Sequence, residues 1–196
     1  KLIEAIASSK QIVPYLDIPL QHAHPDTLKR MRRPSNMSAV KETLMKMRSA
    51  VSNLALRTTF IVGFPGETEE EFAALMGFTK EIEFDHVGIF PYYHEPFSAA
   101  YQLNDDVSEN VKDDRIQKLA AAQEGISLKK NQSFIGQELE VLIEGIGDGI
   151  SIGRSYRDAP EIDGLVLVQG ILQPGDLVRV RIKSALVHDL IAEIAE

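Results

Sequence analysis

Three apolar runs punctuate the first half of the sequence: IVPYLDIPLQ (Ile12–Gln21), LRTTFIVGF (Leu56–Phe64) and DHVGIFPYY (Asp85–Tyr93). Each reads as a buried strand. The segments between them carry apolar residues at helical spacing: Leu28 and Met31, then Val40, Leu44, Met47 and Val51, then Phe72, Leu75 and Phe78. A strand, a helical crossover and a second strand pair in parallel. Three strands make an incomplete sheet, so the expectation is an edge of something larger. The preceding residues, LIEAIASS, read as the end of a helix.

From Gly136 the pattern changes. ELEVLIEGI, SIGRSYR, GLVLVQG, DLVRVRIKSA and DLIAEIA are short runs with partial alternation, separated by Gly, Asp and Pro-Gly. That spacing predicts a small five-stranded barrel. Ser108–Lys130 reads as one long helix linking the two patterns. The fold class is therefore α/β plus all-β. The expected domains are 1–106, a linking helix over 107–130, and 131–196.

Charge is divided unevenly. Of the net −8, residues 1–130 hold −2 and residues 131–196 hold −6. A net-acidic barrel repels a phosphate backbone on average, although a local basic groove can overcome that. No cysteine is present, which removes disulfides and thiolate ligands supplied by these 196 residues. The first residue is Lys, so the chain is expected to be a fragment.

GFPGETEEEF (Gly63–Phe72) is the sharpest local signal. Thr68 with Glu71 fits a capping box, and acids fill the first turn, where the helix dipole favours them. Glycine lets a ligand approach the backbone, but the acids favour a neutral or cationic ligand group over phosphate. The alternative is a plain βα turn. Gln21 and His22 follow the first strand, and Tyr92, His94 and Glu95 follow the third. Ligands of parallel sheets bind at that edge, so a shared site there is expected. His22 and His24 are two apart and make a poor metal pair. Lys29, Arg30, Arg32 and Arg33 read more simply as a solvated helix face than as an anion site. In the barrel, Arg154, Arg157, Arg179, Arg181 and Lys183 could line a nucleic-acid face. Asp158, Glu161 and Asp163 suit a basic protein partner or serve only as solubilising charge.

PYLDIPLQHAHPDTLKRMRRP, RTTFIVGFPGETEEEF and GRSYRDAPEIDGLV together resemble the radical S-adenosylmethionine methylthiotransferases, in the branch that modifies an aspartate of a small-subunit ribosomal protein (protein twelve). The resemblance runs from about Ile12 to Ile194 and is most specific at Asp158–Gly164. It implies the second half of a radical-SAM TIM-like barrel followed by a TRAM (OB-like) β-barrel. By that resemblance the full-length protein is a cytoplasmic methylthiotransferase. It would use S-adenosylmethionine and two 4Fe-4S clusters whose ligands are absent here, so this piece alone would be inactive. The implied cofactor contacts are Gln21, His22, Gly63, Phe64, Pro65, Gly66, Glu67, Ile89 and Tyr92. The implied substrate or partner contacts are Glu95, Arg154, Asp158, Glu161 and Asp163. The chain departs from the family pattern at Tyr93, Pro96, Phe97 and Ser98. The implied partner is a basic ribosomal protein. A tRNA-adenosine methylthiotransferase and a non-catalytic TRAM-containing binding fragment are the alternatives.

Overall fold

Pro14 and Pro19 lack the amide that a β-ladder needs. In the computed structural model, which describes residues 2–195, the first apolar run accordingly forms only a three-residue strand, β1 (Tyr15–Asp17). Past Pro19 the chain returns for a single parallel bridge between Gln21 and Phe60. Helices α2 (Pro25–Arg30) and α3 (Met37–Ala50) lead to β2 (Ala55–Val62). Helix α4 (Glu69–Ile82) leads to β3 (His86–Pro91). The sheet order is β1-β2-β3, and β2 and β3 pair in parallel. A short helix, α1 (Leu2–Ser8), precedes β1.

Two compact units emerge: Leu16–Ser52 with Leu56–Gln123, and Lys1–Tyr15 with Asn53–Ala55 and Glu124–Glu196. In the first, β2 is buried at Leu56, Thr58, Phe60 and Val62, and the helices bury Leu28, Leu44, Leu75 and Ile82. Phe60 and Phe84 meet edge to face at 6.0 Å. Both rings are fully buried, and each such side chain contributes about 2 kcal/mol. The cap of α4 forms as its sequence predicts: Thr68 accepts from the Glu71 amide while Glu71 accepts from the Thr68 amide.

Helix α5 (Glu109–Gln132) begins in this first unit and ends in the second. It does more than link. Lys112, Arg115, Leu119 and Gln123 recur at helical spacing and are all buried. Gln123 Nε2 donates to the Phe84 carbonyl at 2.9 Å. The first half of α5 is therefore a layer of the α/β unit, which its charged composition concealed.

The second unit holds β4 (Glu138–Gly147), β5 (Ile150–Arg154), β6 (Val166–Gln169), β7 (Leu177–Ala185) and β8 (Leu190–Ile194), closed in the order β4-β5-β6-β8-β7. Alternation places Leu139, Val141, Ile143, Val166, Val168, Val180, Ile182, Leu190 and Ala192 inside. Closure removes the free strand edges that an open sheet would present. After β5 the chain makes a tight loop to Gly164. A Cβ on Gly164 would stand 1.9 Å from the His188 carbonyl oxygen, so only glycine fits there. The Arg157 guanidinium lies 4.1 Å over the Phe134 ring and donates to Asn131 Oδ1 at 3.1 Å, fixing the loop to the end of α5.

Candidate ligand site

Parallel pairing brings Gln21, Gly63 and Tyr92 to one edge of the sheet, where β2 turns into α4. Gly63 has φ +73°, and a Cβ on it would meet Lys112 Cγ at 2.3 Å, so the turn needs glycine twice over. Glu67, which is buried, folds back beneath this turn. Its Oε2 accepts from the Gly63 amide and from the Phe64 amide, the latter at 3.1 Å. The Gly66 amide donates to Asp106 Oδ1 at 2.8 Å, and the Glu67 amide to the Phe64 carbonyl at 2.8 Å. The Thr68 amide donates to Glu71 Oε2 at 3.1 Å. Pro65 has no amide, so every backbone donor from Gly63 to Thr68 is already committed.

The carbonyls are held as firmly. Arg30 donates to Pro65 O at 3.0 Å and to Gly66 O at 3.1 Å. Arg115 donates to Glu67 O at 3.2 Å. Arg30 also grips Glu71 through both oxygens, at 3.0 and 2.5 Å. Burial pushes the Glu71 carboxyl up. The hydrogen bonds from Arg30 and the Thr68 amide, with the charge of Arg30, outweigh that and hold it at about 2. A helix N-terminus whose donors face its own carboxylates is no phosphate cradle. His24, Asp26 and Glu71 bring one ligand atom each within 4.8 Å of one another. His24 Nδ1, however, already accepts from the Asp26 amide as the cap of α2, and Glu71 is held by Arg30.

Beside this turn opens a cavity of about 300 Å³. Ile61, Phe64, Met31 and Leu103 give it apolar walls; Gln21, Arg30, Arg32, Arg33 and Ser98 give it polar ones. Arg30 is committed to the turn. Among the described residues, the side chains of Arg32 and Arg33 have no carboxylate partner, and both are exposed. Arg32 sits at φ 56° and Gln21 at φ 72°, conformations that side chains rarely adopt and that cluster at functional sites.

The anticipated contacts divide between the cavity and its supports. Gln21 and Phe64 line the cavity. His22 does not: it is fully buried, its Nδ1 accepts from the His24 amide at 3.0 Å, and its Nε2 faces Glu67 Oε1 at 3.7 Å. Glu67, expected as a polar ligand contact, faces inward. Gly63, Pro65 and Gly66 form the turn behind Phe64. Ile89 stands opposite Phe60 in register, and Tyr92 backs Phe64 edge to face at 5.0 Å. Glu95 is exposed on the loop after β3.

On the barrel loop, the expectation of three presented carboxylates is corrected. Asp158 is buried and accepts from Ser155 Oγ at 2.7 Å. Asp163 accepts from the Ala159 amide at 2.9 Å and from the Tyr15 hydroxyl at 2.7 Å. Both brace the loop, and only Glu161 is exposed at its tip. Arg154 pairs with Glu144 at 2.6 Å.

The Radical SAM superfamily profile matches residues 1–79, and the TRAM domain profile matches residues 135–195. A relative named ribosomal protein uS12 methylthiotransferase RimO, from Herpetosiphon aurantiacus, is 48% identical over 98% of this chain and 42% of its own length. Namesakes from Microcystis aeruginosa and a Thermoanaerobacter species are 48% and 47% identical, over 99% and 98% of this chain and 45% and 44% of their own. The chain belongs to the radical SAM methylthiotransferase family. It spans less than half the length of the curated relatives it matches.

For a family member, the arginine cluster after α2 takes on a different weight. Sequence reasoning assigned it to a solvated helix face, because the turn that aims Arg32 and Arg33 at the cavity is not a periodic feature.

Glu71 stabilises the first unit in a pH-dependent way. Its folded pKa lies below the unfolded value of 4.5, so its contribution is full above that pH and is lost as pH falls toward 2. The size is on the order of 3 kcal/mol. In an acid titration of unfolding free energy, Glu71→Gln is expected to remove that much of the slope between pH 5 and 2. An unchanged slope would show that the Arg30 pair does not survive in solution.

Proposed function

We propose that this chain works within a ribosomal protein uS12 methylthiotransferase and that the cavity beside Gln21 and Phe64 takes S-adenosylmethionine. The observation that carries this reading is the donor set of the cavity: an apolar wall, one amide side chain and two guanidiniums without carboxylate partners. S-adenosylmethionine offers a flat base for the wall of Ile61 and Phe64. Its methionyl carboxylate suits Arg32 and Arg33, since charge-assisted pairs to guanidinium are the strong ones. It carries no phosphate, in keeping with a turn whose amides are all committed.

Bound there, S-adenosylmethionine would supply the methyl group and the radical chemistry that the family name implies. The residues of this chain would hold the base and the carboxylate and keep the turn rigid behind them. With no cysteine among the 196 residues, thiolates for any iron–sulfur cluster would come from elsewhere.

For the partner, the barrel favours a basic protein over RNA. Each strand cation that could meet phosphate faces a carboxylate. Arg181 pairs with Glu138 at 2.8 Å, Lys183 with Glu193 at 2.9 Å, and Arg179 stands opposite Glu140 in register. With these charges balanced, the net −6 of residues 131–196 sets the field, and that field steers a cationic partner.

Replacing Arg32 and Arg33 together by Met is expected to weaken S-adenosylmethionine binding by about tenfold or more, with no loss of thermal stability. Decarboxylated S-adenosylmethionine should bind both proteins alike. Equal loss for the two ligands would place the carboxylate elsewhere. In a salt titration, the chain is expected to bind the basic ribosomal protein with an affinity that falls as salt rises, and to ignore bulk tRNA. Preference for tRNA would move the substrate to a nucleotide.

A further inference from the structure

We propose that α5 is a positioning helix for the ligand-facing turn: Lys112 and Arg115 set the geometry of Gly63–Glu67, and through it the affinity of the cavity, without touching the ligand. The proposal rests on the reading that the cavity takes S-adenosylmethionine.

Two buried cations on one helix face need a reason, because lysine and arginine are almost never fully buried unless paired. Lys112 is 1% exposed and Arg115 is 3% exposed. They lie three residues apart, on one face of α5, and both point at the turn. The Lys112 stem occupies the space a Cβ on Gly63 would fill. Its ammonium lies 5.5 Å from the centre of the Tyr92 ring, the ring that backs Phe64. The same ammonium pairs with Asp105 at 3.1 Å and with Glu109 at 2.8 Å. Fixing Asp105 places its neighbour Asp106, which accepts from the Gly66 amide.

Arg115 works on the other side of the turn. It donates to the Glu67 carbonyl at 3.2 Å and to Glu69 Oε1 at 2.6 Å. Its Nη1 lies 3.5 Å from Glu67 Oε1, on the same carboxylate that gathers the Gly63 and Phe64 amides. The two cations thus hold the turn at Gly63, Gly66 and Glu67, while Phe64, its ligand-facing residue, sits between the held points. Neither cation lines the cavity. A turn gripped in this way presents Phe64 in one position, so no ordering is required of it when the ligand arrives.

The test combines amide hydrogen exchange with ligand titration on the full chain. Lys112→Met and Arg115→Met keep the stems and remove the charges. Asp106→Ala, at an exposed site, cuts the Gly66 anchor without risk to the core. All three are expected to raise exchange at Gly63–Glu67 while leaving the barrel amides unchanged. Each should weaken S-adenosylmethionine binding by about tenfold, with Arg115→Lys recovering part of the loss. Unchanged exchange in Asp106→Ala and in whichever Met variants fold would overturn the proposal. So would faster exchange with ligand affinity intact. If the unmodified chain does not bind S-adenosylmethionine, the reading of the cavity fails, and exchange at the turn still decides whether α5 holds it.

Discussion

The buried carboxylate of Glu67 is the contact on which the α/β unit turns. It collects the amides of Gly63 and Phe64 and faces His22 and Arg115 in a space closed to water. A buried carboxylate is tolerable only with such company, since its desolvation costs several kcal/mol. Once Glu67 is turned inward, the rest follows. Phe64 is pushed toward the cavity, Arg30 and Arg115 cover the freed carbonyls, and Glu71 closes the cap of α4. The result is a glycine-containing strand-to-helix turn whose amides are all committed to carboxylates and to one carbonyl, leaving none for an anion.

The same economy appears in the barrel. A loop rich in acids looks like a surface feature, yet Asp158 and Asp163 are structural braces and Gly164 fits against a carbonyl with no room for a side chain. The net negative charge of residues 131–196 belongs to the unit as a whole rather than to this loop. What the loop presents is its tip, Pro160 to Ile162, held in place by Asp158 and Asp163 on either side of it.

Periodic features were legible in the sequence. The apolar runs became β2 and β3, the capping box formed at Thr68, and the five alternating runs closed as a barrel. β1 came out shorter than its run, because two prolines interrupt its ladder. Side-chain direction was not legible. His22, from its place after a strand, and Glu67, through the family resemblance, were expected to meet the ligand, whereas both side chains are buried and turn inward. Arg32 and Arg33 read as solvated charge, because their approach to the cavity depends on a left-handed residue that no spacing announces. Lys112 and Arg115 were hidden in a helix of mixed charge, where only the packed structure distinguishes a buried cation from a surface one.

The most direct measurement is an amide chemical-shift titration of the chain with S-adenosylmethionine and, separately, with adenosine triphosphate. The account predicts shifts at Gln21, Ile61, Phe64 and Arg33 with S-adenosylmethionine, and no response of Gly63–Thr68 to the triphosphate. A triphosphate that moved the Gly63–Thr68 amides while S-adenosylmethionine moved nothing would contradict it, because it would mean that the donors of the turn are free.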